Sequence, residues 1–244
     1  MKRLRLLALG LGLGAVPMLL VAFGTPDRSS IVQAGGSATV GRWTLSDIAA
    51  SCASSVGSDG FGRVDITEAV HAANETVAIA VPCRLVLHAG ASMTLNRIQL
   101  SSRHLVIRDD DEPGPNAVRI EHSELRGLEG SGFLLDLHDP SDSYAMESST
   151  IVYDKSVWVR VLGNREDSEG GGSVVAIAST IRSSGPRSEG IQLVAGDTGG
   201  GTASFVRLVL ETTAEEGSIL LAEDCRAEGI VGAPEECKPP VDGS

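Results

Sequence analysis

The chain reads as an all-β solenoid, a short stack of about five recognisable coils, and three observations predict it. First, five short segments repeat from residue 105 onward: LVIRD (105–109), FLLDL (133–137), VWVRV (157–161), IQLVA (191–195) and ILLAE (219–223). Each carries an apolar residue at its first and third positions, the alternation of a strand with one buried face. Second, these segments start 28, 24, 34 and 28 residues apart, and a second strand family falls between them: AVRIEHSEL, STIVYD, SVVAIASTI and ASFVRLVLE. A period of this length marks stacked units that cannot bury an apolar face alone. Third, the intervening turns are alike. DDEPGPN, HDPSDS, GNREDSEGGGS and GDTGGGT are rich in Asp, Gly and Pro, and the last two place three glycines just before the second strand.

From the amino end, Lys2, Arg3 and Arg5 precede an uncharged apolar run, Leu6 to Phe23, with small residues at Ala22 and Gly24. This is the layout of a secretory signal peptide over 1–24. An uncleaved anchor is the alternative, because the run is about long enough to cross a bilayer; Gly10, Gly12, Gly14 and Pro17 weaken it as a permanent helix. Its removal takes the formal net charge from −12 to −15. A chain so acidic is repelled by nucleic acid and by anionic membranes. Residues 25–45 are small and polar at their start and read as a linker, 46–232 as one domain and 233–244 as a tail. Within the domain, DITEAVHAAN (65–74) reads as a capping helix, with Ile66, Ala69, Val70 and Ala73 on one face and Asp65 three residues before Glu68. Cys52, Cys83, Cys225 and Cys237 are even in number and lack metal-ligand spacing, so they predict two disulfides, most simply Cys52–Cys83 and Cys225–Cys237.

The capping segment 65–74, the apolar run VAIAVPCRLVLHAG after it and the repeats above together resemble the right-handed parallel β-helix, pectate-lyase-like superfamily over about residues 62–230. A β-sandwich of short strands is the alternative fold, although it does not require a recurring strand–turn–strand unit. The signal segment and the even cysteine count lead us to expect a secreted or cell-surface module, which we expect to be monomeric, and the enzymes of the group it resembles grip uronate sugars on an outer sheet face. Polygalacturonase-like members carry Asn-Thr-Asp, an Asp pair, Gly-His-Gly and Arg-Ile-Lys in successive coils. Only an Asp pair, within Asp109–Asp111, is present here, and the pectate-lyase calcium and arginine motifs are missing. The expected role is therefore non-enzymatic, binding or structural, with a polysaccharide or a cell-envelope component as partner. The alternative is a divergent polysaccharide lyase or glycoside hydrolase acting on acidic polysaccharide.

Candidate chemistry follows from the repeat. Its outward fourth position holds Arg108, Asp136 and Arg160 in successive coils, a charge ladder that either fixes register or binds ligand. Trp158 adds an aromatic surface beside Leu134. Asp136 and His138 fall on one outward face, so Asp136, His138 and Arg160 are the candidates for catalysis, His138 as general base. The turn acids Asp109, Asp110, Asp111, Asp139 and Asp167 line one edge if the coils stack, and calcium, which takes oxygen ligands, is the cation they suit. Asp197-Thr198-Gly199 has the letters of an aspartic protease, but such chemistry needs two carboxylates sharing a proton. The glycines after it lack the following helix and lysine of a phosphate loop. The repeat makes this stretch a corner. His71, His88, His104 and His122 are scattered without metal-ligand spacing.

Overall fold

The computed structural model describes residues 43–110, 112–162, 171–196, 201–214, 219–221 and 225–232. The fold is a right-handed parallel β-solenoid, the hand that crossover connections between parallel strands adopt almost without exception. Three parallel sheets form its sides. The first holds β1 (Gly62–Ile66), β4 (Cys83–Leu87), β7 (Leu105–Asp109), β10 (Gly132–Leu137), β13 (Ser156–Val161), β16 (Gly190–Ala195) and β19 (Ile219–Leu221). The second holds β2 (Val70–Ala73), β5 (Ser92–Asn96), β8 (Ala117–Glu121), β11 (Ser143–Glu147), β14 (Ser173–Ile177), β17 (Thr202–Val206) and β20 (Cys225–Glu228). The third holds β3 (Thr76–Ile79), β6 (Gln99–Ser102), β9 (Glu124–Gly127), β12 (Thr150–Tyr153), β15 (Thr180–Ser183) and β18 (Val209–Thr212).

The predicted register is the observed one. Leu105, Phe133, Val157, Ile191 and Ile219 are successive parallel partners in the first sheet. β1 and β4 stack ahead of the first recognised coil. The second strand family divides in two. AVRIEHSEL is β8 and β9, with a two-residue corner between them, so each coil has three sides where the repeat suggested two.

Alternation then builds the core. The inward columns of the first sheet run Val64, Leu85, Ile107, Leu135, Val159, Leu193 and Ile66, Leu87, Asp109, Leu137, Val161, Ala195. All are buried, and each large aliphatic side chain so buried stabilises by roughly 1.5–3 kcal/mol. Asp109 is the one charged residue in these two columns.

The corner between the second and third sheets is made from backbone. Asn74, Arg97, His122, Ser148, Ala178 and Arg207 all have positive φ, between 47° and 58°. Non-glycine residues adopt this left-handed region only when the surroundings demand it. Here each donates its N–H to a carbonyl one coil on: Asn74 to Asn96, Arg97 to Glu121, His122 to Glu147, Ser148 to Ile177, Ala178 to Val206 and Arg207 to Glu228. The following residues form a buried serine ladder. Ile98 N donates to Ser123 Oγ (2.9 Å), Ser123 N to Ser149 Oγ (3.0 Å) and Ser149 N to Ser179 Oγ (3.2 Å).

The expected helix over 65–74 is corrected. Those residues form the end of β1 and all of β2, and Ile66, Val70 and Ala72 are buried while Ala69 and Ala73 are exposed. Period two wins because β1 gains a complete parallel partner in β4 and β2 one in β5, and tertiary pairing overrides weak local helix preference. The helix lies earlier: α1 (Leu45–Ser54) starts at Thr44, whose hydroxyl and backbone N–H exchange bonds with Asp47, and it buries Leu45, Ile48 and Cys52. Its first residue is the last of the expected linker. Cys52 is bonded to Cys83 with Cα atoms 5.7 Å apart, tying α1 to β4. Cys225 is disulfide-bonded. Cys237, the signal segment, linker residues 25–42, Asp197-Thr198-Gly199 and the tail lie outside the described residues.

Two of the corner glycines have a packing reason. A Cβ on Gly172 would stand 2.4 Å from the Asp142 carbonyl oxygen, and one on Gly201 would stand 2.4 Å from the Ala195 carbonyl carbon. Backbones approach too closely at both points for any side chain.

Candidate functional site

The charge ladder forms on the outer face of the first sheet. Arg108, Asp136 and Arg160 are consecutive register partners on β7, β10 and β13. Arg160 Nη2 donates to Asp136 Oδ2 at 2.9 Å, with the aspartate side chain 14% exposed and the arginine 33% exposed. Trp158 pairs in register with Leu134 and Gln192 in the adjoining outward column. The indole Nε1, Arg160 Nε and Asp136 Oδ1 are buried and make no hydrogen bond.

His138 joins this row from the end of β10. Its ring lies between two carboxylates, Nδ1 at 3.0 Å from Asp109 Oδ1 and Nε2 at 3.6 Å from Asp136 Oδ1. A carboxylate only accepts, so Nδ1 carries the proton that bonds Asp109. His138 also donates its backbone N–H to Asp109 Oδ2 at 2.6 Å. At the same step of the neighbouring coils this N–H finds a carbonyl instead: Asp110 N bonds the Leu87 oxygen and Leu162 N the Leu137 oxygen. The Asp109 carbonyl is taken by Arg108 Nε at 3.2 Å. A side-chain carboxylate thus replaces one link of the backbone ladder and grips the histidine with its other oxygen.

The expected acidic ridge divides into separate bonds. Asp109 faces the interior, because the fifth position of an alternating strand points the same way as the first and third; the expectation that it belongs to the turn is corrected. Asp110 Oδ2 meets His88 Nδ1 at 2.5 Å, while His88 Nε2 lies 3.3 Å from Asp65 Oδ1. The Asp65 carboxyl is held below its usual range, chiefly by the Arg63 guanidinium. Asp139 accepts from Gly114 N, Ser141 N and the Ser141 hydroxyl. Burial works to raise its pKa, and these bonds together outweigh burial and lower it. Asp142 accepts from Asn116 N at 2.7 Å and Asp139 N at 2.8 Å. Burial pushes its carboxyl up to about 6 against those two bonds, with Asp109 and Asp139 adding to the rise. Among the described residues, no group of three or more His, Cys, Asp or Glu side chains is arranged to hold a metal ion. Asp111 and Asp167 lie outside the described residues.

The structure therefore brings Arg108, Asp136, His138, Arg160 and Trp158 onto one face and adds Asp109 beneath them. Reading by sequence missed the Asp109–His138 pair, although counting the alternation one position further would have turned Asp109 inward. It also missed the His88–Asp110 contact between neighbouring coils. Comparison with protein-family models, with curated proteins and with solved structures finds no match. The class that fold and site define is a parallel β-solenoid with a charged, aromatic-flanked outer face.

Proposed function

We propose that the chain is a secreted or cell-surface, non-enzymatic solenoid module, a divergent member of the pectate-lyase-like superfamily, that binds carbohydrate along the outer face of its first sheet. The observation that carries this reading is the mutual pairing of the acid–base groups. Both ring nitrogens of His138 face carboxylates, and Asp136 is paired with Arg160. A general base needs a lone pair directed at substrate, and here the candidate base is directed at its own neighbours. Trp158 and Leu134, side by side in register, offer an apolar stripe beside guanidinium groups, a surface suited to the faces and hydroxyls of a glycan chain. The Cys52–Cys83 disulfide suits an oxidising compartment.

Calorimetric titration with uronate and neutral oligosaccharides tests the reading. Saturable binding weakened about tenfold or more by Trp158→Ala, the size expected of a buried aromatic contact, supports it. Release of unsaturated or reducing sugar ends from a uronate polymer, abolished by Asp136→Ala, overturns it. That second outcome is the lyase or hydrolase reading, and the Asp109 carboxylate orienting His138 is the observation in its favour.

A further inference from the structure

We infer that His104 is an acid trigger: its imidazole holds the corner between the third and first sheets only while neutral, and its protonation opens that corner. His104 lies in the short connection between β6 and β7. Its Nδ1 accepts a hydrogen bond from the backbone N–H of Gly132, the first residue of β10, at 3.0 Å. A backbone N–H can only donate, so Nδ1 must present a lone pair and the single ring proton must sit on Nε2. The carbonyl of the same residue accepts from Cys83 N at 2.8 Å, so His104 is bonded to strands on both sides of its own coil.

The groups around the ring favour the neutral form. Phe61 packs against it with ring centroids 6.3 Å apart, and the Arg84 guanidinium, paired with Asp59 at 3.4 Å, lies over that phenyl ring. Arg103 precedes it on its own connection. Lys155, ahead of β13, and Glu189, ahead of β16, act on it from the following coils and pair with each other at 3.1 Å. Burial lowers the histidine's pKa, Lys155 and Arg103 lower it further, and Glu189 opposes them.

Protonation puts an N–H on Nδ1, directly against the N–H of Gly132. Two donors then face each other at hydrogen-bond distance, the Gly132 amide loses its acceptor, and a cation is added beside Lys155 and Arg103. Gly132 is buried, so its amide has to move to find water. Linkage has one sign: the folded state binds the proton less readily than the unfolded state, so this contribution to stability is present above the ordinary histidine range and is lost as pH falls below it. The device is independent of whatever the outer face binds.

The test is a pH series from about 7.5 to 5, spanning the ordinary histidine range, on the full chain, with nitrogen-detected resonances of His104 and amide exchange at Gly132 corrected for its intrinsic rate. His104→Asn supplies a carboxamide oxygen in place of Nδ1 and cannot titrate. In the wild type, neutral His104 with its proton on Nε2 is expected at the alkaline end, and protection at Gly132 falls by up to about tenfold per pH unit as pH drops from the ordinary histidine value toward the lowered folded-state value. In His104→Asn, protection stays level. A proton on Nδ1 at the alkaline end, or the same protection profile in both proteins, overturns the inference. The wild-type resonances alone decide the tautomer should the variant not fold.

Discussion

Replacing Asp109 by alanine tests whether a carboxylate stands in for a link of the backbone ladder. Its two oxygens accept from His138 N at 2.6 Å and His138 Nδ1 at 3.0 Å, and its side chain is only 2% exposed. Alanine removes both acceptors and leaves a gap in the column between Leu87 and Leu137. Stranding one buried N–H costs about 1–3 kcal/mol, and breaking a buried pair by removing one partner costs about 3–5 kcal/mol in all. For a domain of this size each kcal/mol moves the melting temperature by roughly 2–4 °C, so a fall on the order of 10 °C is expected at neutral pH by circular dichroism. Asp109→Asn keeps one acceptor for His138 N and should lose no more than a fraction of that. The opposing possibility is physical: His138 N can swing to the residue 109 carbonyl, as its equivalents do in neighbouring coils, once Arg108 releases it. A fall below about 2 °C for Asp109→Ala, the equivalent of less than about 1 kcal/mol, would mean that the ladder repairs itself and that the reasoning is wrong.

Three further outcomes are expected. Asp142 has its pKa raised to about 6 by burial, so the folded chain holds an extra proton between that value and the ordinary carboxyl range, and its contribution to stability grows as pH falls through about 6; thermal melts of wild type and Asp142→Asn should diverge in favour of the wild type from about pH 7 to 5, and parallel curves would refute this. Gly172→Ala, whose Cβ would meet the Asp142 oxygen at 2.4 Å, should destabilise by about 1–3 kcal/mol in urea melts, and an unchanged midpoint would show that the corner yields freely. Replacing Cys52 and Cys83 by serine opens a loop whose ends are 31 residues apart, worth about 3–4 kcal/mol by loop entropy; an unaltered melting temperature would show that packing of α1 alone secures the first coil.

The period and register were legible because a one-residue slip would turn every buried side chain outward, so alternation leaves one solution. The three-sided section was less legible: strands of the third sheet are four residues long and follow those of the second after two-residue corners, so HSEL and ASTI read as ends of longer strands. Segment 65–74 satisfies the helical and the strand period at once, and only the partner strands at 83–87 and 92–96 decide between them. Arg108, Asp136 and Arg160 could be placed side by side because they share a repeat position. The bonds from His138 to Asp109 and from Gly132 to His104 could not, since they join residues 29 and 28 positions apart through side chains that leave the repeat.

The serine ladder makes coil number adjustable. Ser123 and Ser149 each offer a hydroxyl to the backbone of the coil before and take one from the coil after, and Ser179 offers the last. Excising a whole turn between Ser123 and Ser149 would bring Ser123 N against Ser179 Oγ and restore the same bond. Excising the turn that ends at Ser179 would set Ser149 against Leu208, which has no hydroxyl. A deletion of one complete turn is therefore expected to leave this corner fully bonded in the first case and to strand the Ser149 amide in the second.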